Sequence, residues 1–373
     1  MTIAVTDAVS FSIARCDASM HANAMAERII IGLSGGVDSA LAAALLQERG
    51  FDVVAVYLKI VVDGGACPWR DEIALCRRIA AQLDIPLVVH DVSKAYEHEV
   101  LNPMVAAYEQ GSTPNPDSAC NRWVKFPVLA EIASEHGASY IATGHYARIG
   151  DDDSLYRALD HDKDQTYFLW ELRRKQLRSI LFPIGELQKT DVREEARQRG
   201  LPCWDRPSTR GICFLGGVAL TSYLERHLTP RAAEVVTTSG EHLGTVPFAQ
   251  AITIGQRIPL GGLPCARYVT KRDLARGIIE VSDKPSDTAR LCSRVRATAT
   301  NWLATTPDGA LSCAARIRHG QQPELCRIHQ RGVGVVDVYF ETPQVGVAAG
   351  QSIVFSDGER VLGGAILSDM ELD

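Results

Sequence analysis

The chain has 373 residues, 46% of them apolar and 23% charged, the balance of a globular protein of two or three domains rather than of a disordered or collagenous chain. No apolar run approaches the roughly 18–20 residues of a membrane helix. Lysine and arginine total 39 against 45 acids, a net charge of −6, which excludes a uniformly basic coat for nucleic acid but not a local basic face.

Residues 1–27 lack a basic stretch followed by an apolar run and read as an N-terminal extension, not a targeting signal. Ile29-Ile30-Ile31 predicts a buried strand that runs into Gly32-Leu33-Ser34-Gly35-Gly36-Val37-Asp38-Ser39. The alanine- and leucine-rich stretch 40–49 predicts a helix that Gly50 stops. A second strand is expected over 53–58, an amphipathic helix over 72–83, a third strand over 86–89, a helix over 127–136 and a strand over 140–143. Strands alternating with helices imply a parallel sheet covered on both faces.

From about residue 216 glycine and proline recur and the apolar segments shorten, to Ile252-Thr253-Ile254 and to 277–281. Residues 333–340, 352–355 and 361–362, with a Ser356-Asp357-Gly358-Glu359 turn, read as strands of a β-barrel or sandwich. The expected organisation is an α/β parallel-sheet nucleotide-binding domain over 28–215, a small central domain over 216–285 and a β-rich, barrel-like C-terminal domain over 286–373.

A glycine-rich loop between a strand and a helix N-terminus is an anion site, because backbone N–H groups and the positive end of the helix dipole converge there. Ser34 to Ser39 has that placement, yet it lacks the lysine of G-x-x-x-x-G-K-[ST] and is not G-x-G-x-x-G. The motif resembles the PP-loop of the ATP pyrophosphatases, which cleave ATP between its α and β phosphates. Asp38 is then a candidate partner for Mg2+.

Ten cysteines include no C-x-x-C pair, and a chain this rich in core residues needs no disulfide framework, so reduced thiols in a cytoplasm are expected. Two cysteines stand out. Cys120 follows the proline-stiffened loop Thr113-Pro114-Asn115-Pro116-Asp117 and precedes Arg122 and Lys125; Cys213 lies near Arg210. Neighbouring cations favour the thiolate, and thiol exchange needs two sulfurs able to meet.

Together these motifs are similar to those of the tRNA-specific 2-thiouridylases. The likeness extends, in order, through Ala142-Thr143-Gly144-His145-Tyr146-Ala147-Arg148, Asp162 to Leu169, Lys189-Thr190-Asp191-Val192-Arg193, Thr253 to Arg257, Ala315 to Arg318, and Ala349-Gly350-Gln351 with Leu362-Gly363-Gly364. It implies an adenine nucleotide alpha hydrolase-like fold and ATP-dependent sulfur transfer to C2 of the wobble uridine. Cys213 would carry a persulfide, Cys120 would be the partner nucleophile that ends in a disulfide with it, and Asp117 would be an acid/base. ATP contacts would come from Gly32, Leu33, Ser34, Gly35, Gly36, Val37, Asp38, Ser39, Leu58 and Gly144. Contacts to tRNA would come from Asn115, Pro116, Asp117, His145, Lys163, Asp164, Gln165, Arg318, His319 and Gln351. The implied partners are tRNA and a persulfide-donating sulfur carrier or cysteine desulfurase, with no membrane.

Arg316, Arg318, Arg327 and Arg331 form an arginine set in the region expected to hold the tRNA stem. The chain departs from the family at 245–248 and in the shortened loop 258–262, and His319 stands where a tyrosine is usual. Four alternatives stay open: another PP-loop activity such as an amidating synthetase, a tRNA-binding protein that uses ATP only for structure, a paralogue with altered tRNA choice, and an iron–sulfur cluster held by Asp117, Cys120 and Cys213.

Overall fold

The computed structural model describes residues 26–62, 69–207, 219–262, 265–284 and 291–368. Five parallel strands form the first sheet in the order β3-β2-β1-β4-β7: β1 (Arg28–Gly32), β2 (Asp52–Lys59), β3 (Leu87–Asp91), β4 (Tyr140–Thr143) and β7 (Ile180–Leu181). Ile30, Val54 and Val56 point to one face and Ile29, Ile31, Val53 and Ala55 to the other, each into its own apolar cluster. That two-residue alternation with apolar residues on both sides is why the strands read as unbroken hydrophobic runs.

Helices α1 (Val37–Glu48), α2 (Trp69–Leu83) and α8 (Lys189–Gln198) cover the second face. The other is covered by two longer helical runs. One joins α3 (Ser93–Tyr96) to α4 (Asn102–Glu109) through a π-helical turn at Glu97–Leu101, and the second joins α5 (Pro116–Cys120) to α6 (Phe126–Glu135) through a π-helical turn at Asn121–Lys125. Helices α7 (Arg174–Leu177) and α9 (Leu220–His227) complete the α-helices among the described residues.

A four-stranded sheet follows, ordered β10-β11-β8-β9, from β8 (Ala233–Thr237), β9 (His242–Val246), β10 (Tyr268–Asp273) and β11 (Ile278–Ser282). The short apolar segment Ile252-Thr253-Ile254 is a loop after a 3₁₀ turn at Ala249–Ala251, where Thr253 N–H is bonded to the Gln256 side chain at 3.0 Å.

The C-terminal strands are β12 (Cys292–Trp302), β13 (Ala310–Arg316), β14 (Glu324–Gly332), β15 (Val335–Gln344), β16 (Ser352–Asp357) and β17 (Arg360–Leu367). They run β12-β15-β14-β13-β16-β17, and β12 also pairs with β17, so the ring closes around Val295, Ile328, Val336, Val338, Ile353 and Phe355. The hairpin β5 (Ala147–Ile149) and β6 (Leu155–Arg157), from the first half of the chain, adds to this sheet beside β17.

Candidate active site

The loop after β1 enters α1 at the carboxyl edge of the parallel sheet. β1 lies between β2 and β4, so the connections after β1 and β4 part to opposite sides and leave a crevice where ligands bind in such sheets. Gly36 takes an extended conformation at the N-cap with no side-chain cap, and the first helical bond runs from Ala40 N–H to Gly36 C=O. The N–H groups of Val37, Asp38 and Ser39 therefore precede the helix's own bonds and face a potential anion. Gly35 has φ +75°, the left-handed region that glycine enters without penalty. Ser39 Oγ ties the loop by accepting from Ser34 N–H at 3.1 Å and donating to Gly36 C=O at 3.1 Å.

Gly144, just past β4, presses on this turn: a Cβ there would sit 2.5 Å from Ser39 N and 2.7 Å from Asp38 C. The close approach of the two segments at this point requires a residue without a side chain. Leu58 is buried near the end of β2.

Asp38 is held by two groups at one oxygen. Tyr146 O–H donates to Oδ1 at 2.9 Å, and Lys189 Nζ, at the start of α8, lies 2.5 Å from it. Burial and the Asp38 carboxylate push the Tyr146 phenol pKa far up, so it stays a donor. Gln165 Oε1 in turn accepts Tyr146 N–H at 3.0 Å. Lys189 supplies the cation that the loop motif lacks; its place in Lys189-Thr190-Asp191-Val192-Arg193 was the only signal, because nothing local links it to residue 38.

The segment expected as a proline-stiffened loop is one only as far as Asn115; from Pro116 it is a helical turn. Asn115 caps α5, its Oδ1 accepting from Ser118 N–H at 3.3 Å, and Pro116 follows at the first position, where the missing N–H costs nothing. Cys120 ends that helix and is 2% exposed. The barrel fixes the turn from outside. Asn115 Nδ2 donates to Ser352 Oγ at 3.0 Å, Gln351 Nε2 to Thr113 C=O at 2.9 Å, and Thr113 N–H to Ala349 C=O at 2.8 Å. Tyr167 O–H adds a bond to Ser352 C=O at 2.8 Å.

His319 packs its ring 4.7 Å from Phe168 and 6.2 Å from Tyr167 and feels the charge of Asp117 and Lys163. Burial, followed by Arg316, lowers its pKa. Lys163 is exposed. His145 stacks on Phe126 at 5.8 Å, its Nδ1 lies 2.7 Å from Thr143 Oγ1, and burial with the nearby Lys125 keeps it neutral.

Other expected contacts face inward. Asp164 is 2% exposed, pairs with Arg316 at 2.7 Å and accepts Thr166 Oγ1, so any effect on tRNA would pass through neighbours. Arg318 donates to Ile254 C=O at 2.7 Å and Gly346 C=O at 2.8 Å, tying the barrel to the central unit. The arginine set is therefore divided: Arg316 and Arg318 satisfy internal acceptors, while Arg331 bonds Asp337 at 2.7 Å on the outer barrel wall.

Cys213 lies outside the described residues, as does Cys67. Burial pushes the Cys76 thiol up to about 12 and that of Cys203 up to about 11, which makes both poor nucleophiles. Among the described residues no three His, Cys, Asp or Glu side chains gather as a metal site, and no helix is long and apolar enough to cross a membrane.

A family model described as "tRNA methyl transferase HUP domain" matches residues 27–217, and one described as "Aminomethyltransferase beta-barrel domain" matches residues 292–367. The "tRNA-specific 2-thiouridylase MnmA" of Protochlamydia amoebophila is 35% identical over 348 residues, 91% of this chain and 93% of that protein. Its Bacillus subtilis counterpart is 34% identical over 356 residues, 93% and 96% of the two chains. "MnmA 2" of Geobacillus kaustophilus is 35% identical over 352 residues, 92% and 95%. Among solved structures, a 4-thiouridine synthetase in complex with RNA and bound ATP overlaps at 19% identity with a TM-score of 0.37, covering 54% of this chain and 50% of that one.

Proposed function

Because the chain belongs to the tRNA-specific 2-thiouridylase family, we propose that it is a cytoplasmic tRNA-uridine 2-sulfurtransferase that uses ATP to thiolate C2 of the wobble uridine. The observation that carries ATP use is the uncapped N-terminus of α1 in the crevice, with Gly144 held against Ser39 so that no side chain fills the space. The backbone N–H groups of Val37 to Ser39 would hold phosphate oxygens, Lys189 would offset their charge, and Asp38 would meet magnesium carried by the nucleotide.

In this reading the uridine O2 attacks the α-phosphate of ATP, and pyrophosphate leaves. A persulfide on Cys213, loaded by a sulfur carrier or cysteine desulfurase, places its terminal sulfur on C2, and AMP leaves with the oxygen. Cys120 then attacks Cys213 Sγ, releasing the thiolated base and forming a disulfide that a reductant reopens. Asp117 moves a proton at the uridine. Asn115, Pro116, His145, Lys163, Gln165, His319 and Gln351 shape the tRNA pocket directly or through the turn that carries Cys120.

The test incubates the protein with unmodified tRNA, ATP, magnesium and a persulfide source and analyses nucleosides for 2-thiouridine. Cys120→Ser and Cys213→Ser should each abolish product while ATP binding persists. Full thiolation by either variant would overturn the assignment of its sulfur, and ammonia-dependent amidation by the double variant would favour a synthetase.

A further inference from the structure

The phosphate loop is gripped by the stretch of chain that runs on toward Cys213. After α8 that chain is buried at Leu201 and Cys203 and emerges at Trp204 and Asp205, which are exposed. Arg206, half-buried, turns back to the loop: its Nη1 donates to Gly35 C=O at 3.1 Å, and its Nη2 lies 3.6 Å from Glu72 Oε1 on α2. Glu72 is itself fixed, its Oε2 accepting from Tyr57 O–H on β2 at 2.8 Å. A cleft of about 440 Å³ opens between this stretch and the α2 face of Asp71, Ala74, Leu75 and Arg78. Polar tethers rather than apolar packing therefore hold the chain there.

Helix α8 supplies a second tether. Arg193 Nη2 donates to Arg206 C=O at 3.2 Å, and Arg193 stands one helical turn after Lys189, whose ammonium meets Asp38 in the same phosphate loop. The grip on Gly35 falls at a sensitive point. Gly35 C=O and Gly36 N–H belong to one planar peptide unit, the N–H lies 3.4 Å from Ser34 Oγ, and Gly35 sits at φ +75°. A phosphate oxygen that draws this N–H forward tilts the carbonyl that Arg206 holds.

We propose that Arg206 is a positioning residue that aligns sulfur delivery with the bound nucleotide. Its side chain holds the phosphate loop, and its backbone, tethered by Arg193, sets where the chain departs for Cys213, seven residues on. Seven residues reach at most about 25 Å, so the point of departure bounds where the sulfur can arrive. Added positive charge for the triphosphate would be the rival role. The guanidinium directs its donors at a carbonyl and at Glu72, whose carboxylate offsets its charge, and this favours positioning.

The inference rests on the tRNA-thiolating reading, and one pair of products separates the two. The whole protein is given unmodified tRNA, ATP, magnesium and a persulfide source, and pyrophosphate and 2-thiouridine are counted in the same samples for wild type, Arg206→Ala, Arg206→Lys and Arg193→Ala. Misplaced sulfur leaves the adenylated uridine to water, which restores uridine and releases AMP. Arg206→Ala should therefore release about tenfold more pyrophosphate per 2-thiouridine, the weight of one lost bond from a charged donor. Its KM for ATP should stay within about threefold of wild type. Arg206→Lys, which keeps a cationic donor, should recover most of the coupling, and Arg193→Ala should uncouple in the same direction. An unchanged ratio in Arg206→Ala, a raised KM for ATP with the ratio intact, or parallel loss of both products would each overturn the positioning role. Failure of the wild-type protein to make 2-thiouridine would instead overturn the reading beneath it.

Discussion

Lys189 Nζ lies 2.5 Å from Asp38 Oδ1 across 151 positions of chain, with Lys189 only 12% exposed. The loop carries no cation of its own, and α8 brings one to the same helix N-terminus. Lys189→Ala should raise KM for ATP by roughly 10- to 100-fold, the equivalent of one charge-assisted bond of about 1.5–3 kcal/mol. Pyrophosphate release in the presence of tRNA, followed against ATP concentration, reads this. An unchanged KM would confine Lys189 to a purely structural ion pair.

Gly144→Ala places a methyl against backbone atoms of Ser39 and Asp38, which cannot rotate away. The overpacking should cost about 1–3 kcal/mol, and ATP affinity measured by calorimetry should fall more than tRNA affinity. Equal loss of both would point to general unfolding.

Glu171 is held protonated to higher pH than an ordinary carboxyl: burial raises its pKa to about 7, against a smaller opposing pull from Arg122. The folded state then binds a proton more tightly than the unfolded chain. Its favourable contribution is complete below about pH 4.5 and is lost as pH rises to about 7, a change of up to about 3 kcal/mol. Thermal melts of Glu171→Gln and wild type from pH 4.5 to 8 should therefore diverge in the variant's favour as pH increases. Parallel curves would show that the carboxyl is ionised in the fold.

Asp164 offers a test of burial against contact. Removing one partner of its ion pair with Arg316, both side chains under 5% exposed, strands a buried charge at about 3–5 kcal/mol. Asp164→Ala should lower the urea midpoint strongly, and thiolation lost at 37 °C should return in part at low temperature. Full stability with lost tRNA binding would mean that Asp164 touches RNA itself.

Where signals were local, the sequence was readable. The triple isoleucine and the serine–glycine loop marked β1, its turn and α1, because strand burial, left-handed glycine and helix propensity all act over a few residues. The helix expected over 127–136 is Phe126–Glu135, and the third strand begins at Leu87 rather than Pro86, whose nitrogen has no proton for a ladder. Asn115 and Pro116 were helix-start signals hidden in a proline-rich stretch. What escaped depends on distant pairing: Lys189 on Asp38, Arg318 on the carbonyls of Ile254 and Gly346, and Asp337 gathering arginines from two other strands. A count of arginines cannot tell a cation that meets solvent from one that closes a gap inside the fold.

The hairpin of β5 and β6 sets a timetable for the ribosome. Tyr156 finds its partner in Arg360, about 200 residues later, so at roughly 5–20 residues per second the hairpin waits some 10–40 s for its neighbour to be made. During that interval the edge of β6 that will receive β17 is an open template for another chain. Nascent protein should therefore depend on chaperones more than the finished enzyme does, and synonymous codons that slow translation between these two points would lengthen the exposure without changing a single residue.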